Sequence, residues 1–342
     1  MLRNLLQGAG VITVMSLALA GCQPAERIEV LSGPTMGSTY TIKYVANKTT
    51  PAAESAGVVV QNILDEVDRH MSTYRADSDL SRFNNLPAGS CEVMPRPVLE
   101  LVSYADELAR LSNGRFDITI QPLLSVWGFG PASRGHQIPA EDAISEATAR
   151  MGYQHLSVEG NQLCKEIALK LDLNSIAAGY TVDRIAAEFE KKGIRSYMIE
   201  VTGELFAKGK KPDGSPWRIA LEQPVGNGER VLQRILEIDG WGVNTSGDYR
   251  NYFEEEGVRF SHTLDPQTGA PITHNLAAVT VIDRSTMAAD GLGTLLMVLG
   301  KDEGMEFVKQ HGIAALFVTR ENDEFVSHAS PEFEHMFPEQ GR

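Results

Sequence analysis

The sequence predicts an α+β fold, in which strands and helices are grouped instead of alternating strictly. Alternating apolar and polar residues indicate strands near the start of the chain and, more densely, in its second half. Between these regions lie two long stretches in which apolar residues recur at helical spacing. Long connections and clustered strands favour α+β over a doubly wound α/β fold, where each strand would be followed by a helix.

The first third of the chain is expected to begin with a strand pair over Ile28–Val45, broken by the GPTMG segment at 33–37. Apolar residues at helical spacing then predict helices over Val58–Met71 and Val98–Leu111. Glycines bound the segment 114–130, which is therefore expected to be a loop region.

The next elements are a buried strand over Ile167–Leu173 and a helix that Asn174 would cap and that would end near Lys192. The second half is richer in strands, and helices are expected from about Thr286 to Leu299 and from Asp302 to Gln310. The strands predicted there are Tyr197–Val201, Trp217–Glu222, Val231–Ile238, Val279–Ile282 and Ala314–Val318. The acidic run at 254–256 is expected at a solvated hairpin tip.

Residues 1–21 are expected to be a cleaved lipoprotein signal peptide. Arg3 is the only charge before a mostly apolar run that ends in small residues at Cys22, and this run is too short and too rich in glycine to cross a bilayer comfortably. Cleavage would make Cys22 a lipidated N-terminus, followed by a tether over 22–28 and a single domain over 29–335.

The charge of the chain restricts its partners. The formal charge is -14, and removal of Arg3 with the signal peptide would make it -15. Nucleic-acid binding depends on Lys and Arg that neutralise phosphates, so we expect no nucleic-acid partner. A phosphate-bearing substrate would need a metal ion or local backbone N–H groups.

Besides the lipidated Cys22, the expected mature chain has two cysteines, Cys91 and Cys164. In the oxidising compartment that an export signal implies, they could form a disulfide. Two buried thiols are the alternative, and the spacing of the residues does not decide between them.

The most informative stretch runs from Ser261 to Thr294. His262 lies in a dense polar loop, and Asp290 and Thr294 are four residues apart, which in a helix places both on one face. Histidine can move a proton near neutral pH, and carboxylate and hydroxyl oxygens suit Mg2+. The combination indicates metal-assisted chemistry on a phosphate, although each residue alone could be structural.

Other candidate positions are weak signals when each is taken alone. Met36 lies among small residues that could let the backbone approach a ligand, and Tyr74 could stack on a planar ring. Asp172 and Ser175 fall where a buried strand would meet a helix, a favoured place for phosphates. Neither a G-x-G-x-x-G after the first strand nor a Walker-type loop is present, which removes the usual nucleotide folds.

Taken in order, these segments resemble the FAD:protein FMN transferase (ApbE) family over residues 29 to 330. The segments that carry the resemblance are GPTMGSTY (33–40), STYRADSDLSRFN (72–84), GRFDITIQPLLSVWGFG (114–130), LDLNSIAAGYTVD (171–183), TSGDYR (245–250), SHTLDPQTGAPI (261–272) and AADGLGT (288–294). Seven ordered motifs over this length are highly specific.

The resemblance implies a periplasmic, lipid-anchored enzyme that uses Mg2+ and FAD. Such an enzyme attaches FMN through a phosphoester bond to a threonine or serine of a target protein and releases AMP. Family targets are subunits of Nqr- and Rnf-type membrane oxidoreductases. The sequence leaves both the inner and the outer membrane open for the anchor, and the expected targets favour the inner membrane. The family fold is an α+β arrangement of antiparallel sheets with packed helices, related to the T-fold.

The resemblance also implies roles for single residues. His262 matches the base that deprotonates the target hydroxyl. Positions that match flavin-nucleotide contacts are Met36, Tyr74, Arg115, Phe116, Asp117, Asp172, Ala178 and Leu264. Positions that match the metal site are Ser175, Asp290 and Thr294, with the Met287 backbone carbonyl as a further candidate.

Three positions depart from the family pattern: Ala178 where a charged residue is usual, Gly293 where some members carry an acid, and Thr202-Gly203-Glu204 where Gly-Gly-acid is commoner. The first two bear on nucleotide and metal affinity, and the third suggests a local change of backbone. Two alternatives stay open: an Mg2+-dependent FAD pyrophosphatase that gives FMN and AMP, and a non-catalytic flavin-binding lipoprotein.

Overall fold

A computed structural model describes residues 26–130, 138–223, 232–248, 252–255, 258–322 and 324–338. The expected signal peptide, Cys22 and most of the expected tether lie outside these residues. The helices of the described residues are α1 (Ala53–Met71), α2 (Asp79–Asn84), α3 (Arg96–Leu111), α4 (Gln121–Val126), α5 (Glu141–Thr148), α6 (Ala177–Lys191), α7 (Thr286–His311) and α8 (Pro331–Met336). None of them is both long enough and apolar enough to cross a bilayer.

The strands are antiparallel throughout the described sheets. Their bounds are β1 (Arg27–Thr35), β2 (Ser38–Ala46), β3 (Ser90–Val93), β4 (Leu156–Glu159), β5 (Gln162–Lys165), β6 (Tyr197–Val201), β7 (Glu204–Lys208), β8 (Trp217–Glu222), β9 (Leu232–Ile238), β10 (Trp241–Gly247), β11 (Tyr252–Glu255), β12 (Val258–Ser261), β13 (Leu264–Asp265), β14 (Ala270–Pro271), β15 (Leu276–Asp283), β16 (Ala314–Glu321) and β17 (Glu324–Ala329).

One eight-stranded sheet, in the order β1-β2-β6-β7-β10-β15-β16-β17, organises the molecule. Successive residues of a strand point to opposite faces. Val281 and Phe317 accordingly pack on the face covered by α3 and α7, while Ile282 and Leu316 pack on the face covered by the β8–β9 hairpin and α8. Because both faces are covered, the central strands are apolar at nearly every position. The predicted α+β class is confirmed.

The expected strand over Ile167–Leu173 is wrong. These residues are largely buried, but only Lys170 forms an isolated bridge, with Ile120. The Asp172 N–H donates to the Ile118 carbonyl, but Leu171 next to it is satisfied by a side chain and not by a neighbouring strand. Asn84 donates to the Leu171 carbonyl and accepts from the Leu171 N–H, at 2.9 and 2.8 Å. A run of apolar residues in the sequence cannot reveal that a distant side chain takes the place of a neighbouring strand as hydrogen-bond partner.

Two boundaries near the start of the chain also differ from expectation. β1 continues through Thr35, so the turn is only Met36-Gly37, both with positive φ. The strand begins at Arg27, which places the last two residues of the expected tether inside the sheet.

The segment 114–130 contains the short helix α4, contrary to the expected loop. Asn174 is not a helix cap: α6 begins at Ala177, and Asn174 donates two hydrogen bonds to Asp172. The helices predicted over 286–299 and 302–310 are present but continuous in α7, with a break at Gly300, where φ is 74°.

The strands predicted over Tyr197–Val201 and Trp217–Glu222 are confirmed, whereas β7 and β10 were not expected. Cys91 and Cys164 lie directly opposite each other on β3 and β5 and form a disulfide. The alternative of two free thiols is therefore wrong in this structure.

Candidate active site

A cavity of about 770 Å³ brings together segments that are far apart in the sequence. Its walls come from α7, β10, the 114–130 segment, the residues before α6 and the loop after β12. The predicted site residues that line it are Tyr74, Arg115, Phe116, Asp117, Asp172, Ser175, His262, Leu264, Asp290 and Thr294. The volume is of the size that small-molecule ligands occupy.

Three predicted residues do not line this cavity. Met36 lies in the β1–β2 turn and is 41% exposed. Ala178 is buried in the first turn of α6, and Met287 lies in the first turn of α7. Cys22 is outside the described residues.

The first half of α7 carries the metal candidates. Asp290 and Thr294 are one helical turn apart, and Met297 and Val298 extend the same cavity wall. The beginning of this helix is fixed from α6: Asp183 accepts hydrogen bonds from the Ser285 hydroxyl at 2.7 Å and from the Thr286 N–H at 2.8 Å. A carboxylate at this end also interacts favourably with the helix dipole.

Asp290 is buried and hydrogen-bonded on both oxygens. Oδ2 accepts from the Gly179 N–H at 3.0 Å, and Oδ1 accepts from Asn244 Nδ2 at 2.9 Å. Burial, and then the negative charge of Glu204, raise the pKa of Asp290 well above its ordinary value. A carboxylate in such surroundings would be stabilised by a cation.

Close backbone contact makes this arrangement possible. A Cβ at Gly179 would lie 2.4 Å from the Thr286 carbonyl oxygen, so only glycine lets α6 approach α7 this closely. A Cβ at Gly293 would lie 2.7 Å from Ser246 Oγ and 3.2 Å from Asn244 Oδ1. A side chain at position 293 would therefore require the Ser246 and Asn244 side chains to move.

Two buried carboxyl groups form the opposite wall. Asp117 accepts from the Thr119 and Tyr153 N–H groups at 2.8 and 3.0 Å, and Asp172 accepts from Asn174. Burial raises the pKa of both carboxyl groups, and these hydrogen bonds oppose the shift. The two segments are joined because the Asp172 N–H donates to the Ile118 carbonyl at 2.8 Å.

Arg115 links this wall to the loop that carries His262. Its guanidinium lies 3.3 Å from Glu303 and donates to Gln267 at 3.4 Å, while Gln267 donates to the Asn113 carbonyl at 2.9 Å. The Arg115 Nε is buried and has no hydrogen-bond partner. The guanidinium thus retains an unused donor at the edge of the cavity.

His262 lies beside an aromatic cluster. Its ring packs edge-on against Phe129, with 6.4 Å between centroids, and Phe129 packs on Phe253 of β11. The end of the His262 loop is fixed by Trp127, whose indole N–H donates to the Gly269 carbonyl at 2.8 Å. These contacts hold His262 in the wall of the cavity that also contains Asp290 and Thr294.

Sequence reasoning missed Asn244, Glu204 as a cavity residue, and Asp183. Asn244 follows Trp241-Gly242-Val243 and directly precedes the TSGDYR motif, and Asp183 ends the LDLNSIAAGYTVD motif. Their places in or next to these motifs are the features of the sequence that could have identified Asn244 and Asp183 as site residues. Across the described ranges, no three His, Cys, Asp or Glu side chains cluster as a metal site, so a metal would depend on hydroxyl, carbonyl or substrate oxygens as well.

Comparison with known proteins agrees with this geometry. The model of the ApbE family matches residues 36–317. The chain belongs to the ApbE family. Among curated relatives, an FAD:protein FMN transferase of Vibrio cholerae is 43% identical over 319 residues, covering 93% of this chain and 95% of that protein. The protein of the same name in Haemophilus influenzae is 38% identical over 336 residues, with 96% and 97% coverage.

Solved structures of ApbE proteins share the fold. The apo flavinyl transferase ApbE of Pseudomonas stutzeri has a TM-score of 0.87 and 55% identity, covering 92% of this chain and 98% of that one. The flavin transferase ApbE of Vibrio cholerae has a TM-score of 0.85 and 40% identity, with 91% and 99% coverage. The antiparallel sheets with packed helices are thus the ApbE arrangement.

Proposed function

We propose that this chain is an FAD:protein FMN transferase that attaches FMN from FAD to a threonine or serine of a target protein and releases AMP. One observation carries the proposal: a single cavity brings His262, Asp290 and Thr294 together with most of the positions expected to bind flavin nucleotide. Family membership and the names of the relatives point to the same activity.

The reaction is a phosphoryl transfer. The target hydroxyl oxygen attacks the FMN phosphorus of the FAD pyrophosphate, the bond from that phosphorus to the bridging oxygen breaks, and AMP leaves with the bond electrons. The hydroxyl proton passes to His262, which has the ring chemistry for this step and lines the cavity. Positioning and neutralisation of charge dominate such reactions.

The residues that would hold Mg2+ are Asp290, Thr294 and Ser175. All three present oxygen ligands to the cavity, and Mg2+ prefers oxygen and commonly binds through one or two carboxylates together with substrate phosphates. The buried, negatively charged surroundings of Asp290 support a cation there. Mg2+ would supply neutralisation of the pyrophosphate charge and stabilise the leaving AMP.

FAD would be bound by the opposite wall and the mouth of the cavity. Tyr74 lines the mouth and is 72% exposed, so its ring is free to stack on a planar group. Arg115 offers an unused donor, while Asp117 and Asp172 offer acceptors. The roles expected for Met36 and Ala178 would require contacts outside the cavity as it stands in this structure.

The cellular setting is also a proposal. The apolar start of the sequence and Cys22 support a lipid-anchored protein on the periplasmic side of a bacterial membrane, and the expected targets favour the inner membrane. The family resemblance supports subunits of Nqr- and Rnf-type oxidoreductases as targets. Such targets would bring the acceptor hydroxyl to the membrane surface where this enzyme is anchored.

The test is product accounting with residues 23–342, FAD, Mg2+ and a candidate target domain. We expect AMP to form in proportion to modified target and to be low when the target is omitted or its acceptor threonine is replaced by valine. AMP formation that does not depend on the target would favour the pyrophosphatase alternative. FAD binding without AMP would favour the non-catalytic alternative.

A further inference from the structure

The second histidine of the SHTLDPQTGAPITHN stretch, His274, lies outside the cavity. Its ring Nε2 lies 2.9 Å from the Met297 carbonyl oxygen, and its Nδ1 lies 3.3 Å from the Leu276 backbone nitrogen. A carbonyl only accepts and a backbone N–H only donates, so these contacts fit a ring with hydrogen on Nε2 and a lone pair on Nδ1.

The hydrogen bond from His274 to Met297 lies just before the break in α7. Gly300 interrupts the helix three residues later, and a helix end leaves its last carbonyls without intrahelical donors. His274 supplies a donor to one of these carbonyls. The helical segment that ends here is the one that carries Asp290, Thr294, Met297 and Val298 into the cavity.

The His274 ring also packs closely against Gly300, the residue at the break. A Cβ at Gly300 would lie 2.8 Å from the His274 Cδ2 atom, so the histidine ring occupies the space that any side chain at position 300 would need. Glycine is also the residue that tolerates the positive φ of 74° found there. The break in α7 and the histidine ring are therefore one structural unit.

We propose that His274 is a positioning residue: it fixes the C-terminal end of the α7 segment 286–299 and so sets where Thr294 and Met297 lie in the cavity. Asp183 fixes the other end of the same segment. The loop that begins with His262 would thus serve the site twice, once through the proposed base and once through the helix that faces it. This inference rests on the proposed function, because it assumes that the cavity binds FAD with Mg2+.

The test compares four variants by their dissociation constant for FAD in Mg2+ and by the Mg2+ concentration at half-maximal FAD binding, both measured by calorimetry. His274→Phe keeps a ring without hydrogen bonds, whereas His274→Gln keeps a donor that reaches the position of Nε2. We expect both quantities to rise about tenfold in His274→Phe, the size of one buried hydrogen bond, and less than about threefold in His274→Gln.

Gly300→Ala and Gly312→Ala form a matched pair. Both glycines have positive φ, 74° and 64°, but a Cβ at Gly312 meets nothing within 4 Å. Gly300→Ala should weaken FAD binding as His274→Phe does, while Gly312→Ala should bind like the unaltered chain. This pair decides the question if His274→Phe does not fold.

Unchanged FAD binding in His274→Phe, or in Gly300→Ala if His274→Phe does not fold, would overturn the positioning role. Equal weakening in His274→Gln and His274→Phe, or in both glycine variants, would also overturn it. These measurements do not require turnover, so an unaltered chain that binds FAD but transfers no FMN would overturn the proposed function alone. An unaltered chain that does not bind FAD would overturn both.

Discussion

Asn244 donates a hydrogen bond to Asp290, with 2.9 Å between Nδ2 and Oδ1, and so connects the central sheet to the proposed metal site. A hydrogen bond to a charged group stabilises it more than one to a neutral group. We expect Asn244→Ala to raise the Mg2+ concentration for half-maximal transfer about tenfold. Ser246→Ala is the control, because the Ser246 hydroxyl lies 3.3 Å from Asn244 and makes only a weak bond. Equal effects of the two variants would contradict the role of Asn244.

His262→Ala should reduce FMN transfer by about 100- to 10,000-fold, the contribution of general base catalysis, while FAD binding is retained. Single-turnover transfer and FAD titration measure the two effects separately. His155→Ala is the control, since this histidine lies at the surface beside Glu166 at 2.9 Å. Near-normal transfer by a folded His262→Ala variant would show that another group takes the proton.

Gly179→Ala should disturb the contact between α6 and α7. The new Cβ would lie 2.4 Å from the Thr286 carbonyl, and overpacking of this kind costs about 1–3 kcal/mol. We expect a lower free energy of unfolding in urea. We also expect a higher Mg2+ concentration for half-maximal transfer, because the Gly179 N–H donates to Asp290. Gly57→Ala, also within a helix, meets its nearest atom at 3.9 Å and should be neutral or stabilising. A fully active, equally stable Gly179→Ala variant would contradict the close approach.

The pH dependence of stability should report the buried carboxyl group of Asp172. Burial raises its pKa in the folded state, so between the ordinary and the raised pKa the folded chain holds a proton that the unfolded chain has lost. Stability from this group therefore falls as pH rises through that window. We expect the stability of Asp172→Asn relative to the unaltered chain, without ligand, to increase from pH 4 upward and then level off. A constant difference across urea titrations at pH 4 to 7 would contradict the shift.

The disulfide between Cys91 and Cys164 closes a loop with a sequence separation of 73. Its loss should lower the free energy of unfolding by about 2–4 kcal/mol, mainly because the unfolded chain gains freedom. Urea unfolding with and without dithiothreitol measures this. The Cys91→Ala/Cys164→Ala variant should be insensitive to the reductant, and an unaltered chain with the same insensitivity would show that the bond does not form in solution.

The sequence was sufficient for the α+β class, the long amphipathic helices and ten of the residues that line the cavity, but not for Asn244 and Glu204. Periodicity revealed α1 and α3 because one face of each is buried, and it revealed β6 because its residues alternate. It failed over 167–173, where burial without a strand neighbour depends on the distant Asn84 side chain. No local pattern encodes a partner more than eighty residues away.

The site shows the same limit. His262, Asp290 and Thr294 could be selected because their chemistry is visible in the sequence, and the structure places them in one cavity. Asn244 and Asp183 could not, since each acts through a hydrogen bond between elements that only the tertiary fold brings together. The contact between His274 and Met297 is hidden in the sequence for the same reason, because the two residues lie on different elements.

The most direct test of the central claim is the intact mass of a target domain after incubation with this chain, FAD and Mg2+, with His262→Ala and an acceptor threonine-to-valine target in parallel. The account predicts that the target gains one FMN moiety by phosphoester linkage, that AMP appears in equal amount, and that both signals are lost in the two parallel reactions. The account would be contradicted if FAD were cleaved to FMN and AMP while every Thr- or Ser-bearing target tested, including the proposed Nqr- and Rnf-type subunits, stayed unmodified.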